Sequence, residues 1–375
     1  MQAIPTLQMD IETEWRGGQR QVELLCRSLV HRGHPVTLLT RPESPLSKRL
    51  EGSGVDIIPM KIMAAYDLIA ARKVARLIDS VKPAVVGMHA SHSHTLGLLA
   101  KKFTQFPTRY VVTRRVDFRP GRDFLNRWKY ILAPDGFIAI SDAIAEILAR
   151  IGVPRERIHV VHSGVKPTEP PENARESFRE EIGVSEETYL VGDIASLVDH
   201  KGHRYLIEAV PKIAAQCPKA VFLVVGDGEL ATALKEQAKS LGLGEDRLRF
   251  LGRRDDVPRI LGALDLFVMT SHLEGLCTSI IDAQLAGVPV VATRAGGIPE
   301  LVEHEETGLL AENKNPDSIA AQIVRIAGDP ALAGRLAQAA QKRAHDQFTD
   351  DAMVEGTIAA YRNILGSHGV LPTIK

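Results

Sequence analysis

The sequence has few cysteines and no long hydrophobic run. Its three cysteines, Cys26, Cys217 and Cys277, lie far apart and match neither a disulfide framework nor a zinc pattern. We therefore expect a reducing, cytoplasmic environment. No stretch approaches the roughly 20 apolar residues that a transmembrane helix needs, and the first residues lack the basic start and apolar core of a signal peptide.

The chain also lacks a net charge, but its charges are unevenly distributed. Residues 1–168 carry 25 Lys and Arg against 15 Asp and Glu, so the remainder holds 21 against 31. Such asymmetry indicates that the first half meets an anionic partner, and an incidental surface bias explains it equally well. A length of 375 residues, 45% of them apolar, suits a globular protein of two domains.

Short β-branched runs alternate with longer helical patterns along the whole chain. In the first half the pattern predicts helices at 18–32 and 67–80 and strands at 36–40, 55–59, 84–89, 109–113 and 136–140. In the second half it predicts strands at 189–195, 221–226, 248–251, 266–269 and 288–292. Two βα series predict an α/β fold with two doubly wound parallel sheets.

A proline-rich segment, residues 166–173, separates the two series and is typical of a linker. We therefore expect one domain at 1–167 and a second at 168–345. Ligands of open parallel sheets bind at the carboxyl ends of the strands. A cleft between the two domains is accordingly the expected binding site.

The most informative segment is residues 271–299, SHLEGLCTSIIDAQLAGVPVVATRAGGIP. A strand ends in a polar turn that contains Glu274 and Gly275, and a helix is expected to begin near Thr278. The start of a helix presents unpaired N–H groups and a partial positive charge, which suit a phosphate. Glu274 and Asp282 lie eight residues apart, about two helical turns, which predicts carboxylates on one side of a ligand.

This segment closely resembles the signature of the retaining glycosyltransferases of family four (glycosyl transferases group 1). Their usual pattern is a Glu, seven residues, a second Glu, then G-x-P-V-V-A-T and a Gly-Gly-x-x-E loop. Three further motifs fall in the family's order: EWRGGQ at 14–19, the segment from Val191 to LVDHKG at 197–202, and VGDG at 225–228. The resemblance covers essentially the whole chain.

The resemblance implies a GT-B fold, in which two Rossmann-like domains with parallel sheets face each other across a cleft. It implies that the domain at 1–167 binds the acceptor, the domain at 168–345 binds the nucleotide-sugar donor, and the helices at 346–375 cross back to the first domain. The implied function is retaining transfer of a hexose-type sugar to a glycan or lipid-linked acceptor. Lipopolysaccharide or cell-surface polysaccharide synthesis on the cytoplasmic face of the membrane is the expected role.

By the same resemblance, the catalytic residues are His89, Lys201 and Glu274. The implied donor-binding residues are Gly17, Gly18, Ser196, Lys201, Gly226, Arg253, Glu274, Leu276, Cys277, Thr278 and Asp282. Lys201, the amides at 276–278 and the Gly17–Gly18 loop are expected to stabilise the departing phosphate electrostatically. The departing phosphate then accepts the proton of the acceptor, so no protein nucleophile is expected.

No cofactor is expected besides the donor substrate, and no metal. An Asp-x-Asp pair after a strand would indicate a Mg²⁺ site, and the sequence has none. Two positions depart from the family pattern: Asp282 stands where a Glu is usual, and Ser196 stands where an Arg is usual. One of the two usual diphosphate cations is therefore missing or is supplied from elsewhere.

Three histidines, His89, His92 and His94, follow a predicted strand. The resemblance assigns His89 to the donor sugar. The alternative is a zinc site, but the sequence supplies no further ligands or partners for it. For His92 and His94, a polar loop that caps the next helix is the competing interpretation.

A basic stretch interleaved with aromatic residues runs from Lys101 to Lys129. Arg114 and Arg115 follow a predicted strand and are candidates for binding an acceptor phosphate or carboxylate. Alternatively, the stretch rests on an anionic membrane with Phe124, Leu125 and Trp128 in the interface, or it is a solvated face over ordinary core aromatics. Nucleic-acid binding is not expected, because no binding motif accompanies the charge.

Three other functions remain open on the sequence. The run Gly226–Ala231 fits G-x-G-x-x-A, which by itself indicates a dinucleotide-binding dehydrogenase; the surrounding motifs favour a nucleotide-facing turn. A nucleotide-sugar 2-epimerase shares the implied fold. A catalytically impaired nucleotide-sugar-binding protein is the third, because of Ser196 and Asp282.

Overall fold

The computed structural model describes residues 2–64, 66–116 and 124–366, and the side chains of all of these except 124 and 125. The chain forms two compact units. The first consists of Met1–Lys166 with Asp350–Lys375, and the second of Pro167–Thr349. The second unit thus ends at Thr349, and the chain returns to the first unit at Asp350.

The described residues of the first unit form a parallel sheet of seven strands with helices between them. The strands are β1 (Thr6–Met9), β2 (Val36–Thr40), β3 (Asp56–Pro59), β4 (Val85–Met88), β5 (Arg109–Arg114), β6 (Gly136–Ala139) and β7 (Ile158–Val160). The helices are α1 (Gly17–His31), α2 (Pro45–Leu50), α3 (Leu68–Val81), α4 (Ser91–Ala100), α5 (Phe124–Arg127), α6 (Asp142–Arg150) and, from the end of the chain, α15 (Asp350–Gly366). A π-helical turn, Trp128–Leu132, continues α5.

The sheet of the first unit has the order β3-β2-β1-β4-β5-β6-β7, and every pairing is parallel. Helix α15 packs against α1, and its buried Val354, Ile358 and Tyr361 join the core formed with β2, β4, β5 and β6. Because β1 pairs with β4 so that Met9 lies opposite Met88, the residues that follow these two strands lie side by side.

The second unit contains a parallel sheet of six strands among its described residues. The strands are β8 (Tyr189–Ile194), β9 (Ala220–Val225), β10 (Leu248–Gly252), β11 (Leu266–Met269), β12 (Val290–Thr293) and β13 (Leu309–Ala311). The helices are α7 (Ala174–Glu181), α8 (His203–Ala214), α9 (Ala231–Ser240), α10 (Val257–Ala263), α11 (Thr278–Leu285), α12 (Ile298–Leu301), α13 (Pro316–Ala327) and α14 (Pro330–Gln347).

The sheet of the second unit has the order β10-β9-β8-β11-β12-β13 and is parallel throughout. Helix α8 packs against α9 and α13, and α11 packs against α14. A continuous apolar core, with Phe222, Val224, Leu266 and Ile319 fully buried, joins the sheet to these helices. Strands buried on both faces are near-continuously apolar, as the run AVFLVV of β9 is.

The two parallel sheets confirm the predicted α/β fold, and each of the ten predicted strands is present within two residues of its expected bounds. Three strands escaped prediction: β1, β7 and β13. Strands β7 and β13 have three residues each, and β1 contains the buried polar side chains of Thr6 and Gln8. Such runs are too short or too polar to give a clear apolar pattern.

None of the helices in the described ranges is long and apolar enough to cross a membrane.

Candidate active site

In the second unit, the loops after β8 and β11 converge because these strands are neighbours in the sheet. The loop after β8 ends in a 3₁₀ turn, Asp199–Lys201, and the loop after β11 contains Glu274. The Lys201 ammonium lies 2.5 Å from Oε2 of Glu274, and both side chains are largely buried. Ser271 Oγ donates a hydrogen bond to the same carboxylate oxygen, at 3.2 Å.

Two glycines bring these loops together. Gly202 has a φ of +71°, and a Cβ at this position would lie 2.1 Å from the carbonyl oxygen of Thr270. Gly296 has a φ of +50°, and a Cβ there would lie 1.7 Å from the carbonyl oxygen of Glu274. Other residues adopt positive φ at a cost, so the close packing of Lys201 and Glu274 depends on glycine at both positions.

Helix α11 begins at Thr278, as expected, directly after the buried Leu276 and Cys277. Glu274 therefore lies in the loop before the helix, and only Asp282 is helical. The expectation that two helical turns separate the two carboxylates is wrong, because the helix starts four residues after Glu274. The first N–H groups of an α-helix lack a partner in a preceding helical turn. At the start of α11, Ile280 N donates to Cys277 O at 3.2 Å, and Cys277 lies close enough to Lys201 to act on its pKa.

Burial and nearby charge act in opposite directions on Lys201. Burial by itself lowers the pKa of a lysine, but the neighbouring Cys277 and Glu274 raise the pKa of Lys201 above its usual value. Lys201 therefore stays a cation at neutral pH. Cys277 is buried, and burial raises the pKa of its thiol to about 12, so the thiol is protonated and unreactive near neutrality.

Ser196 and Gly226 lie side by side at the adjoining edge of the sheet. Leu197 N donates to Asp227 O at 2.9 Å, and a Cβ on Gly226 would lie 3.6 Å from Ser196 N. Gly226 N donates in turn to Gly252 O at 2.8 Å, which places Arg253 one strand further out. The Arg253 side chain is 70% exposed and lies 3.8 Å from Asp255.

In the first unit, the ends of β1 and β4 bring His89 and Asp10 together. His89 N donates to Met9 O, and His89 Nε2 lies 2.7 Å from Oε1 of Gln8. Burial, with a contribution from Arg115, lowers the pKa of His89 to about 3. The neutral ring donates Nε2–H to the Gln8 carbonyl, so Nδ1 is an acceptor; it is buried and has no hydrogen-bond partner among the described residues.

Asp10 and Arg115 complete this cluster. Gln19 Nε2 donates to Asp10 Oδ2 at 3.1 Å, and burial raises the pKa of the Asp10 carboxyl. Arg115 lies close enough to lower that pKa in part. Its Cδ would be 3.7 Å from a Cβ on Gly18, so Arg115 joins His89 and Gly18. Gly17 is exposed at the first position of α1.

Arg114 does not join this cluster, although the sequence suggested both arginines as acceptor ligands. Successive side chains of a strand point to opposite faces. Arg114 is buried and donates to the Tyr130 hydroxyl at 2.9 Å, with its guanidinium over the Tyr130 ring. Of the two, only Arg115 lies beside His89 and Gly18.

The three histidines that follow β4, His89, His92 and His94, have separate partners. His92 Nδ1 lies 3.0 Å from Oε1 of Glu12 at the surface. His94 is buried, lies 3.0 Å from Lys129 O through Nε2, and meets the Tyr130 ring edge-on. A shared metal would require His89, His92 and His94 each to leave its partner, so these contacts give no support to the zinc alternative.

Family models match almost the whole chain. "Glycosyl transferases group 1" matches residues 174–343, and "Glycosyltransferase Family 4" matches residues 15–169. The chain belongs to glycosyltransferase family 4. Its two parallel-sheet, Rossmann-like units are those of the GT-B fold.

Among curated family members, the chain is 26% identical over 307 residues to the N-acetyl-alpha-D-glucosaminyl L-malate synthase of Bacillus anthracis, covering 80% of each chain. It is 26% identical over 353 residues to the lipopolysaccharide core biosynthesis glycosyltransferase LpsE of Rhizobium meliloti, covering 94% of this chain and 96% of that one. Among solved structures, Anabaena HepE in complex with UDP and glucose superposes with a TM-score of 0.84 at 21% identity, covering 96% and 99%.

Several side chains of the basic stretch of this glycosyltransferase, among those that the structure describes, are engaged within the first unit. Lys101 pairs with Asp135 at 2.8 Å, and Lys102 lies over the Trp128 ring. Arg119 and Arg122 lie outside the described residues, as do the side chains of Phe124 and Leu125. Among the aromatic residues described in this stretch, Phe103 and Trp128 lie against cations, and Tyr110 is buried beside Lys101.

Sequence reasoning missed Asp10 in the first unit and both Asp193 and His203 in the second. Asp193 is fully buried near the end of β8, and His203 is buried at the first position of α8. An acidic residue inside the apolar run YLVGDI was the available signal for Asp193. Asp10 follows a strand that was itself not predicted.

Proposed function

We propose that this glycosyltransferase transfers a hexose-type sugar from a nucleotide diphosphate sugar to a glycan or lipid-linked acceptor, with retention and without a metal ion. The observation that carries the proposal is the buried Lys201–Glu274 ion pair beside the start of α11. A fixed cation and a helix N-terminus together form a site for a diphosphate. The Lys201 ammonium and the N-terminus of α11 supply the positive charge that neutralises the donor diphosphate, so no metal ion is needed for that role.

During transfer, negative charge grows on the departing phosphate oxygens. The Lys201 ammonium and the N–H groups at 276–278 stabilise that charge, because they are already in place and partly shielded from water. The helix N-terminus adds its partial positive charge. Asp282, one turn into α11, is positioned to accept hydrogen bonds from the donor ribose, and the turns at Gly226 and Arg253 hold the base.

His89 suits a contact with the sugar of the donor rather than with its phosphates. Its ring is neutral at physiological pH, and Nδ1 is an acceptor without a partner among the described residues. A sugar hydroxyl supplies the donor that this nitrogen lacks. Gly17 and Gly18, at the first turn of α1, offer N–H groups to the same ligand.

The configuration at the anomeric carbon is retained without a protein nucleophile if the acceptor attacks that carbon from the same face from which the phosphate departs. The departing phosphate then takes the acceptor's proton, so the bond to the anomeric carbon breaks and forms on one side. The names of related proteins support the substrate classes: HepE binds UDP and glucose, and LpsE acts in lipopolysaccharide core biosynthesis. We place the reaction on the cytoplasmic side of a membrane.

Calorimetric titration with UDP, ADP, GDP and dTDP in EDTA tests donor binding. One nucleotide is expected to bind, and Lys201→Ala is expected to weaken it at least ~100-fold, since a charged hydrogen bond and its pairing are lost. Lys212→Ala, in the same unit and paired with Asp317 at the surface, is the matched control and should bind normally. Absence of binding by all four nucleotides would overturn the proposal.

Proton NMR of the product of sugar transfer tests the stereochemistry. The donor sugar and the product should share the same anomeric configuration, and the rate should be unchanged by EDTA. An inverted product would refute retention, and loss of activity in EDTA that Mg²⁺ restores would refute metal independence.

A lipid-linked acceptor implies contact with a membrane, and we place that contact beside α3 rather than in the basic stretch. Met63 is 89% exposed and Ile69 is 69% exposed. Lys73 and Arg76 follow Ile69 by four and seven residues on the same face of α3, and both are exposed. Exposed apolar side chains flanked by cations suit an anionic lipid surface.

Cosedimentation with vesicles tests this surface. The protein should sediment with vesicles that contain roughly 30% phosphatidylglycerol, which gives them an anionic surface. It should not sediment with vesicles of pure phosphatidylcholine. The double variant Met63→Ser, Ile69→Ser should lose most of the binding. Leu241→Ser, at an apolar position of the second unit that is 42% exposed, is the control and should bind as the wild type does.

A further inference from the structure

A second pair of ionisable groups lies beneath Lys201 and has no part in the mechanism above. The Asp193 carboxyl is 0% exposed, and His203 Nε2 lies 3.6 Å from its Oδ1. Neither carboxyl oxygen of Asp193 and neither ring nitrogen of His203 has a hydrogen-bond partner among the described residues. Buried polar groups of this kind are almost always satisfied, so these four unsatisfied atoms call for an explanation.

The position of the pair relates it to the donor site. Asp193 is the second-last residue of β8, and His203 opens α8; the turn that carries Lys201 connects these two elements. Lys201 is the charged neighbour of both, lowering the pKa of each. The groups that act on Lys201 in turn are Cys277, Glu274 and Asp193. One cation therefore stands between the Glu274 carboxylate and the Asp193 carboxyl.

The charge state of Asp193 decides how strongly this environment holds Lys201. With Asp193 neutral, Lys201 has one anionic partner, Glu274. When a diphosphate binds, it replaces Glu274 as that partner, so the positive charge of Lys201 stays compensated. With Asp193 ionised, a second buried negative charge attracts Lys201 and repels the diphosphate. In a site of low polarity such a charge acts strongly, since little water screens it.

We infer that Asp193 and His203 share one proton and act as a positioning pair, which keeps the environment of Lys201 free of a second negative charge so that Lys201 is available to the donor diphosphate. This inference rests on the proposed function, because it deepens the role of the same donor site. A proton on the Asp193 carboxyl or on the His203 ring joins the two groups by one hydrogen bond, which needs only a small approach from 3.6 Å.

The titration of the pair fits this role. Burial raises the pKa of Asp193 to about 8 and, with Lys201, lowers the pKa of His203 to about 4. Between these values the two groups together carry no net charge. Above pH 8 the shared proton is lost. Lys201 keeps its charge in that range, and the Cys277 thiol titrates only near pH 12.

The affinity for UDP as a function of pH tests the inference, with another nucleoside diphosphate used if the calorimetric panel selects it. Between pH 7 and 9.5 the wild-type dissociation constant should rise about 10-fold, which corresponds to about 1.4 kcal/mol. Asp193→Asn has the same shape and no charge at any pH, so its dissociation constant should stay within about 2-fold over the range. Asp317→Asn, a surface variant of the same unit, should follow the wild type.

His203→Gln provides a second variant in case Asp193→Asn does not fold, which circular dichroism would show. The glutamine amide donates a hydrogen bond to the ionised carboxylate and so favours it. The midpoint of the affinity profile should therefore move to lower pH by about one unit. A purely structural role for the pair would lower stability in both variants and leave the shape of the profile unchanged.

The outcomes separate this inference from the proposed function. If the wild type binds no nucleoside diphosphate at pH 7, both fail. If it binds UDP but the profiles of wild type, Asp193→Asn and His203→Gln coincide, this inference alone is overturned. A profile that is flat only in Asp193→Asn and displaced in His203→Gln supports it.

Discussion

The clusters at the strand ends of the two units differ in how they are held together. In the first unit, His89 is neutral and is fixed by a hydrogen bond to Gln8, with its neighbour Asp10 bound by Gln19. In the second unit, Lys201 and Glu274 form a buried ion pair next to the start of a helix. The two units share a fold type, but the first presents a neutral histidine beside Arg115 and the second presents a buried ion pair.

This difference indicates that fold and site chemistry are set by separate residues. The parallel sheets form from apolar runs such as that of β9. These runs can form a sheet with many different polar residues at the strand ends. The chemistry comes from a few residues placed just beyond those ends, where the fold imposes position but not identity. A nucleotide diphosphate sugar has both a charged and a neutral part, and the proposed function assigns the second cluster to the former and His89 to the latter.

Replacing the charge of the second cluster should have the largest effect. Glu274→Gln keeps the side-chain shape but removes the ionic contact that holds the Lys201 ammonium in position for the departing phosphate, so kcat should fall about 100- to 1,000-fold. UDP affinity should be equal or higher, because Lys201 no longer has to leave a carboxylate. Steady-state kinetics and calorimetry measure the two quantities. Glu306→Gln, an exposed residue of the same unit, is the control, and a parallel loss of UDP binding in Glu274→Gln would contradict the assignment.

Removing the neutral group of the first cluster should have a smaller effect and a different pattern. His89→Ala should lower kcat with the donor sugar about 10- to 100-fold, since one hydrogen bond to the sugar is lost. Binding of UDP alone should not change. His92→Ala, three residues further on and at the surface, should leave both quantities unchanged. A His89→Ala variant that transfers sugar normally would remove the distinction between the two clusters.

The loop that holds Glu274 can be tested through stability. At Gly296, alanine adds a Cβ that meets the Glu274 carbonyl, so Gly296→Ala should lower the free energy of unfolding by about 2–4 kcal/mol. Gly242→Ala has a similar φ of +70° and no atom within 4 Å of the added Cβ, so its cost should be about 1 kcal/mol. Urea unfolding of both variants measures the difference. If the two variants lost the same free energy of unfolding, the close approach of the Gly296 backbone to Glu274 would make no contribution to the cost of Gly296→Ala.

The smallest expected effect is a difference in pH dependence. The folded-state pKa of His89 lies below its ordinary value, so its contribution to stability is lost as pH falls from about 6.5 to about 3. The folded-state pKa of Asp193 lies above its ordinary value, so its contribution is lost as pH rises from about 4 to about 8. The melting temperatures of both variants should depend less on pH than that of the wild type, His89→Gln below about pH 6.5 and Asp193→Asn between about pH 4 and 8, and the two lost dependences have opposite signs.

Much of the fold was predictable from the sequence because buried parallel strands have an apolar, β-branched pattern. The strands at Val36–Thr40 and Leu266–Met269 begin and end where the sequence predicts. The helix start at Thr278 was predictable for a similar reason, since a polar turn with glycine precedes an apolar helix. The ion pair between Lys201 and Glu274 was not, because 73 residues separate them and only the adjacency of β8 and β11 brings them together.

The remaining misses share a cause. Arg114 and Arg115 are adjacent in sequence, and only the geometry of the strand sends their side chains in different directions. Arg114 contacts Tyr130, and Arg115 lies near His89. Asp193 lies in an apolar run that is typical of a buried strand, and its role depends on His203, which lies beside it only after folding. A single sequence shows residue types and spacing, but burial and the loss of hydrogen-bond partners are properties of the folded chain.

The bracing of the Glu274 loop has a consequence for the thermodynamics of donor binding. Gly297 N donates to Glu274 O at 3.1 Å, and Thr293 Oγ1 donates to Ser271 O, so the end of β12 and the loop after it hold the loop after β11 at its start and its middle. The conformational entropy of that loop is lost when the chain folds rather than when ligand arrives. Binding to this part of the site should therefore show a small entropic penalty, and the donor should meet a surface whose shape does not depend on its presence.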